Sequence, residues 1–254
     1  LWKKIPGQSQ TNLIYLNQEE IVLDLILKHH LSKPTVINQL LFSPNFQKSF
    51  QKNFDNIIGA FSTKNQKGTF LFWSMKNDQR ISLSLEKNTL VSHKNHFAVK
   101  LAKESIKNAI QKKEIIPSMA LSFITLSFYY GLPWGGGFSQ INYLADIKNA
   151  YLKLLKETKF FKKEIAQVQK IPTNIFRGEF IFATLKNKHA IVPATLIDLI
   201  LYQNPDTAKK LNQLAQKITL KEAMDPMMPE FYKIITGHQP KKAAKIKISP
   251  LLNV

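Results

Sequence analysis

Cysteine is absent from this 254-residue chain, and arginine is almost absent. Without cysteine the chain can form no disulfide, thiolate metal site, iron–sulfur centre or cysteine nucleophile. Only Arg80 and Arg177 accompany 34 lysines, although proteins that read nucleic acid use arginine freely for bidentate contacts to phosphate and guanine. Acidic residues are also few, because 17 Asp and Glu stand against 36 Lys and Arg, which gives a formal net charge of +19.

The positive charge alone does not establish a polyanionic partner. Lysine, asparagine and isoleucine are frequent throughout, which is typical of AT-rich coding, so much of the charge belongs on solvated faces. Lysines still concentrate in two segments, 148–170 with seven lysines and two acids, and 241–247 with four lysines and no acid. Lys100, Lys103 and Lys107 are expected to share one face of a helix. Weak nucleic-acid or anionic-surface contact through these lysine faces is therefore one alternative.

No hydrophobic run has the character of a membrane span. The 31 residues of 115–145 carry no charge, but they include several hydroxyl side chains and break at Gly131 and Pro133. We therefore expect a buried central helix there and no transmembrane span. The first 30 residues show no signal-peptide pattern, which favours a cytoplasmic protein.

The grouping of strand and helix patterns predicts a helix-rich α+β fold. The predicted strands form a small antiparallel meander over 57–86, with strands at 57–62, 69–75 and 80–86, and one further strand at 176–185. Predicted helices after the meander cover 96–112, 117–130, 138–157, 193–202, 205–217 and 219–235. We expect an N-terminal helical segment, 1–55, and an α+β core domain, 56–254, or one continuous domain over 1–254.

A glycine-rich connection between two apolar helices is the most unusual segment of the chain. Three successive glycines allow positive φ and a close backbone approach, and the following helix start offers free N–H groups and a favourable dipole. The candidate ligand-binding residues at this connection are Trp134, Gly135, Gly136, Gly137, Ser139 and Gln140. The segment is not a P-loop, because Gly137 stands where the required lysine would be. It is either a cradle for phosphate or carboxylate, or a tight turn between packed helices.

The two arginines are candidate ligand-binding residues because lysine replaces arginine almost everywhere else. Arg80 begins the third predicted strand, where it could bind an anion or form a surface salt bridge. Arg177 and Glu179 lie two apart on a predicted strand and hence share a face. His189 follows that strand and is the best-placed general acid or base, with Glu179 as the other catalytic candidate.

Hydroxyl side chains form a stripe on the helix before the glycine-rich connection. Ser118, Ser122, Thr125 and Tyr129 follow the spacing i, i+4, i+7 and i+11. They either line a polar pocket or bond to carbonyls of their own helix. No metal site is predicted, since no evident third ligand accompanies the nearby pair His93 and His96.

Together these features favour an enzyme that binds an anionic small molecule and transfers a group. The glycine-rich connection would bind the anion, an arginine would neutralise developing charge, and His189 or Glu179 would move a proton. The alternatives are a lysine-rich nucleic-acid-associated protein and a non-catalytic interaction module. The sequence does not identify a cofactor.

Overall fold

The chain divides into two compact units, the larger of which spans residues 16–178. The structure is a computed structural model that describes residues 16–92, 94, 96–134, 138–159, 161–175, 184–187, 190–225, 228–236, 238 and 252–253. Its helices and small, mainly antiparallel sheets confirm the predicted α+β fold. The boundary predicted between residues 55 and 56 falls inside the larger unit and stays a prediction.

Several helices of the larger unit begin at residues that favour helix starts. They are α1 (Gln18–Leu25) with a π-helical continuation (Ile26–His30), α2 (Val36–Phe42), α3 (Pro44–Phe54), α4 (Lys103–Gln111), α5 (Met119–Phe123) with a second π-helical continuation (Ile124–Tyr129), α6 (Phe138–Thr158) and α7 (Lys162–Lys170). Asn17 Oδ1 accepts the Glu19 N–H at 3.1 Å, and Thr35 Oγ1 accepts the Asn38 N–H at 3.2 Å. Pro44 occupies the first position of α3, which suits its fixed φ.

Short antiparallel strands form three small sheets in the larger unit. They are β1 (Phe61–Ser62), β2 (Lys67–Gly68), β3 (Phe72–Lys76), β4 (Gln79–Ser82), β5 (Ser84–Glu86), β6 (Thr89–Ser92), β7 (Phe97–Lys100) and β8 (Ile115–Pro117). β3 lies between β4 and β8, β6 lies between β5 and β7, and β1 pairs with β2. β3 is thus the central strand of its sheet, and its second neighbour is β8 from a later part of the chain, not the segment 57–62.

Two-residue turns set the register of the β3–β4 and β5–β6 hairpins. Residues 77–78 and 87–88 all have positive φ, as a type I′ turn requires. Between the hairpins the chain passes from one sheet to the next at Leu83, which is buried. The Leu83 N–H donates to Thr69 Oγ1 at 2.9 Å, so the crossing point is fixed by a hydrogen bond outside the strand ladders.

The hydrophobic core of the larger unit unites its helices with its sheets. Phe50 and Phe54 of α3 stack with their ring centroids 4.1 Å apart, and Phe50 meets Phe70 edge to face at 5.4 Å. α3 also packs along α6, where Tyr151 is fully buried. Each large apolar side chain that is fully buried contributes about 1.5–3 kcal/mol, so this core is the main source of stability.

Two predicted elements of the larger unit are wrong in part. The helix predicted over 96–112 is instead strand β7 followed by α4, because 97–100 pair with β6 across the sheet. Lys100 therefore lies on a strand and does not share a helical face with Lys103 and Lys107. The strand predicted over 57–62 is confirmed only at its end, in β1.

The described part of the smaller unit contains a three-stranded sheet and several helices. Its elements are β9 (Thr184–Asn187), β10 (Ala190–Pro193), α8 (Leu196–Tyr202), α9 (Thr207–Lys217), α10 (Leu220–Met224), α11 (Met228–Thr236) and β11 (Leu252–Asn253). β9 is central, antiparallel to β10 and parallel to β11. Thr219 and Glu222 form a capping box at the start of α10. Of the predicted strand 176–185, residues 184–185 lie in β9 and 176–183 lie outside the described residues.

Candidate functional site

Several predicted site residues lie outside the described part of the chain. They are Gly135, Gly136, Gly137, Arg177, Glu179 and His189. Ser139 lies in the first turn of α6, but its side chain is also outside the described part. The roles predicted for these residues stay predictions.

The described residues beside the glycine-rich connection are Trp134 and Gln140. Trp134 meets Phe123 edge to face, with ring centroids 5.3 Å apart, and packs against the core. The Gln140 Nε2 atom is buried and has no hydrogen-bond partner among the described residues. An unpaired buried donor costs about 1–3 kcal/mol. The packing of Trp134 thus favours the tight turn, whereas the unpaired donor of Gln140 favours a ligand.

Arg80 lies at the rim of a cavity of about 830 Å³, named here the Arg80 cavity. Its cationic lining residues are Lys67, Arg80 and Lys94, its hydroxyl residues are Ser62, Thr63, Thr69, Ser82, Ser84 and Ser92, and its carboxylate is Glu86. The Arg80 Nη2 atom lies 2.9 Å from Glu19 Oε1 on α1, and the arginine side chain remains 55% exposed. The predicted salt bridge therefore exists, and it leaves the guanidinium at the cavity rim.

The β1–β2 ribbon forms one wall of the Arg80 cavity, and a glycine makes that wall possible. Gly68 has φ +76°, and a Cβ atom there would lie 2.1 Å from the Ala60 carbonyl oxygen. No other residue type allows the two backbone segments to approach so closely. The buried Thr69 hydroxyl then bonds to the backbone of β3 and of Leu83, which fixes the cavity floor.

A buried histidine that the sequence patterns did not single out joins the N-terminal helices to the second π-helical segment. His30 Nδ1 lies 2.8 Å from Thr35 Oγ1, and Nε2 lies 3.1 Å from the Tyr130 hydroxyl oxygen. Tyr129 and Tyr130 meet the imidazole edge to face at 5.0 and 5.7 Å. Burial lowers the pKa of His30 to about 4, so the imidazole is neutral at neutral pH. Both π-helical segments end at this contact, and such segments are frequent at functional sites.

A second cavity, of about 210 Å³, lies between the second π-helical segment, α6 and α7, and is named here the Tyr151 cavity. It is lined by Phe128, Tyr129, Tyr151, Glu164 and Gln167. Tyr151 is 0% exposed, and its hydroxyl makes no hydrogen bond to the described residues. Burial raises the pKa of Tyr151, and the nearby carboxylate of Glu164 raises that pKa further. A side chain that lines this cavity therefore carries a buried hydroxyl without a partner among the described residues.

The predicted hydroxyl stripe divides between structural and unsatisfied groups. Ser118 caps α5, where its Oγ accepts the Leu121 N–H at 3.1 Å. Thr125 Oγ1 is buried without a hydrogen-bond partner among the described residues, and Tyr129 lines the Tyr151 cavity. The stripe thus contributes one side chain to a polar pocket and a helix cap at its other end.

Two lysines of the basic surface have structural roles. Lys52 bonds to Glu157 Oε1 at 2.7 Å and so ties α3 to α6. This bond, with hydrogen bonds from Ser49 and Asn53, lowers the pKa of Glu157 to about 2. Lys148 donates to the Ile171 carbonyl oxygen at 2.6 Å, just after the end of α7. These lysines are therefore engaged within the fold, which weakens the case for the whole basic surface as an interface.

Among the described residues, no helix combines the length and apolar character needed to cross a membrane. No group of three or more His, Asp or Glu in the described ranges is placed to hold a metal ion. No family model matches the chain, and no curated protein and no solved structure matches it.

Proposed function

We propose that the chain binds a phosphate- or carboxylate-bearing small molecule in the Arg80 cavity. The observation that carries the proposal is the lining itself, because the described residues that line its volume of about 830 Å³ include three cationic side chains and one carboxylate. Cations supply the attraction for an anion, whereas the hydroxyls of Ser62, Thr69, Ser82 and Ser84 already donate to oxygens of the protein. The volume lies within the range of about 300–1,000 Å³ that is typical of small-molecule sites.

Arg80 is the residue best suited to hold the anion. A guanidinium has five N–H donors in a fixed fork, and the contact with Glu19 engages it through Nη2. Because this ion pair is half-exposed, it contributes no more than about 1 kcal/mol. Glu19 therefore orients the Arg80 side chain at the rim, and breaking the ion pair to bind an anion would cost little free energy.

The remaining parts of the sequence hypothesis stay proposals. They are a transferase-type group transfer with His189 and Glu179 as proton carriers, an anion cradle at the glycine-rich connection, and a cytoplasmic location. The unpaired Nε2 of Gln140 supports a ligand at that connection. A non-catalytic module that only binds the anion is equally consistent with the Arg80 cavity.

Calorimetric titration with pyrophosphate and with citrate at 0.15 M salt tests the proposal. Arg80→Gln should weaken pyrophosphate binding by about tenfold or more, since it removes a charge-assisted bidentate contact. Lys76→Gln is the matched control, because it removes one positive charge from the same hairpin outside the cavity lining. Glu19→Gln separates the loss of the salt bridge from the loss of the anion contact, and it should retain binding.

Equal losses in Arg80→Gln and Lys76→Gln would contradict the proposal, because they would show a diffuse charge effect. A single-stranded oligonucleotide should be titrated in parallel. If it binds much more tightly than pyrophosphate, with a steep salt dependence shared by all lysine variants, the nucleic-acid alternative replaces the proposal.

A further inference from the structure

We infer that the Tyr151 cavity binds a small primary alkylammonium ion. The cavity lies within the larger unit, and none of its lining residues lines the Arg80 cavity. The inference concerns a ligand of opposite charge and is independent of the proposed anion site.

The unsatisfied hydroxyl of Tyr151 is the first observation. The residue is 0% exposed and is one of the side chains that line the cavity, and its oxygen has no hydrogen-bond partner among the described residues. Buried polar groups in folded proteins are almost always paired, and an exception calls for a missing partner. A ligand that donates a hydrogen bond to this oxygen would supply that partner.

The charge of the lining identifies the kind of donor. Glu164 is the acidic residue in the lining, and no lysine, arginine or histidine is among the described residues that line the cavity. The rings of Phe128 and Tyr151 stack on each other with their centroids 5.7 Å apart and form an apolar part of the lining. An anion would meet repulsion from Glu164 and no compensating cation among these residues, whereas a cation is attracted by the carboxylate.

A primary ammonium group matches this arrangement in donors and in size. Its three N–H donors match in number three acceptors of the lining side chains, namely the Glu164 carboxylate, the Tyr151 hydroxyl oxygen and the Gln167 side-chain oxygen. A cavity of about 210 Å³ accommodates an alkyl chain of about four carbons beside the rings. The net charge of +19 does not prevent binding, because charges farther than about 8 Å are largely screened at 0.15 M salt.

Titration with n-butylammonium, n-butanol and butyrate separates charge from shape, since the three probes have similar chains. We expect saturable binding of n-butylammonium with a roughly millimolar Kd, as befits a ligand of five non-hydrogen atoms. n-Butanol should bind about tenfold more weakly or worse, and butyrate should not bind. Chemical-shift changes of the tyrosine rings, followed by NMR, report the position of the probe.

Two variants and one control locate the site. Glu164→Gln should weaken n-butylammonium binding by about tenfold, and Tyr151→Phe should weaken it about fivefold, because each removes one acceptor. Glu104→Gln removes an exposed carboxylate on α4 and should leave binding unchanged. The inference is overturned if n-butanol binds as tightly as n-butylammonium, if no probe binds, or if Glu164→Gln retains full affinity for n-butylammonium. Each of these results would leave a hydrated cavity.

Discussion

Replacing Gly68 with alanine tests the close backbone approach that shapes the Arg80 cavity. The new Cβ atom would lie 2.1 Å from the Ala60 carbonyl oxygen and 2.6 Å from the Phe61 Cα atom, so the ribbon would have to open. The left-handed φ of +76° alone costs alanine about 1–2 kcal/mol, and the forced backbone shift adds about 1–3 kcal/mol. We expect a loss of about 2–5 kcal/mol in the free energy of unfolding.

The matched control for this substitution is Gly131→Ala. Gly131 has nearly the same φ, +75°, but a Cβ atom there would meet nothing within 4 Å. Gly131→Ala should therefore lower the free energy of unfolding only by the cost of the left-handed φ, about 1–2 kcal/mol. Urea denaturation of both variants, followed by far-ultraviolet circular dichroism, measures the two losses. Equal losses would refute the close approach at Gly68 and the cavity wall that depends on it.

Three further predictions concern buried and paired side chains. Because the pKa of His30 falls from 6.5 to about 4 on folding, its contribution to stability is complete above pH 6.5 and is lost as the pH falls towards 4. The loss in the free energy of unfolding reaches about 3 kcal/mol below pH 4. His30→Gln should remove this part of the pH dependence of the urea midpoints. An unchanged pH profile in His30→Gln would contradict the prediction. Tyr151→Phe should raise the free energy of unfolding by about 1 kcal/mol, because it removes a buried hydroxyl without a partner among the described residues. A lower free energy of unfolding would show that the hydroxyl has a hydrogen-bond partner. Phe50→Ala should lower it by about 3–5 kcal/mol in the same assay, and a loss under 1 kcal/mol would contradict the described core.

Local signals were predictable from the sequence because they depend on neighbouring residues. Asn17 and Thr35 cap their helices through N–H groups two or three residues away, and Pro44 occupies the first position of α3. Side chains over 80–86 alternate between exposed and less exposed, which is the period of a strand. Such interactions require no knowledge of the rest of the fold.

Interactions between distant segments explain what the sequence analysis missed. Residues 97–100 fit a helical pattern, yet pairing with β6 prevails over that local preference. The burial of His30 is not evident from the sequence, because it arises from packing against Tyr129 and Tyr130, about 100 residues away. Arg80 was predicted from the scarcity of arginine, whereas the lysines and hydroxyls around it meet only through the sheet crossing at Leu83.

The most direct test of the anion site uses the scarcity of arginine in the chain. With only two arginines, the side-chain Nε–H resonances of Arg80 and Arg177 can be resolved by NMR and assigned with Arg80→Gln. Titration with pyrophosphate should shift the Arg80 resonance along a saturating curve that matches the calorimetric Kd. An Arg80 resonance that stays fixed while pyrophosphate saturates the protein would contradict the account.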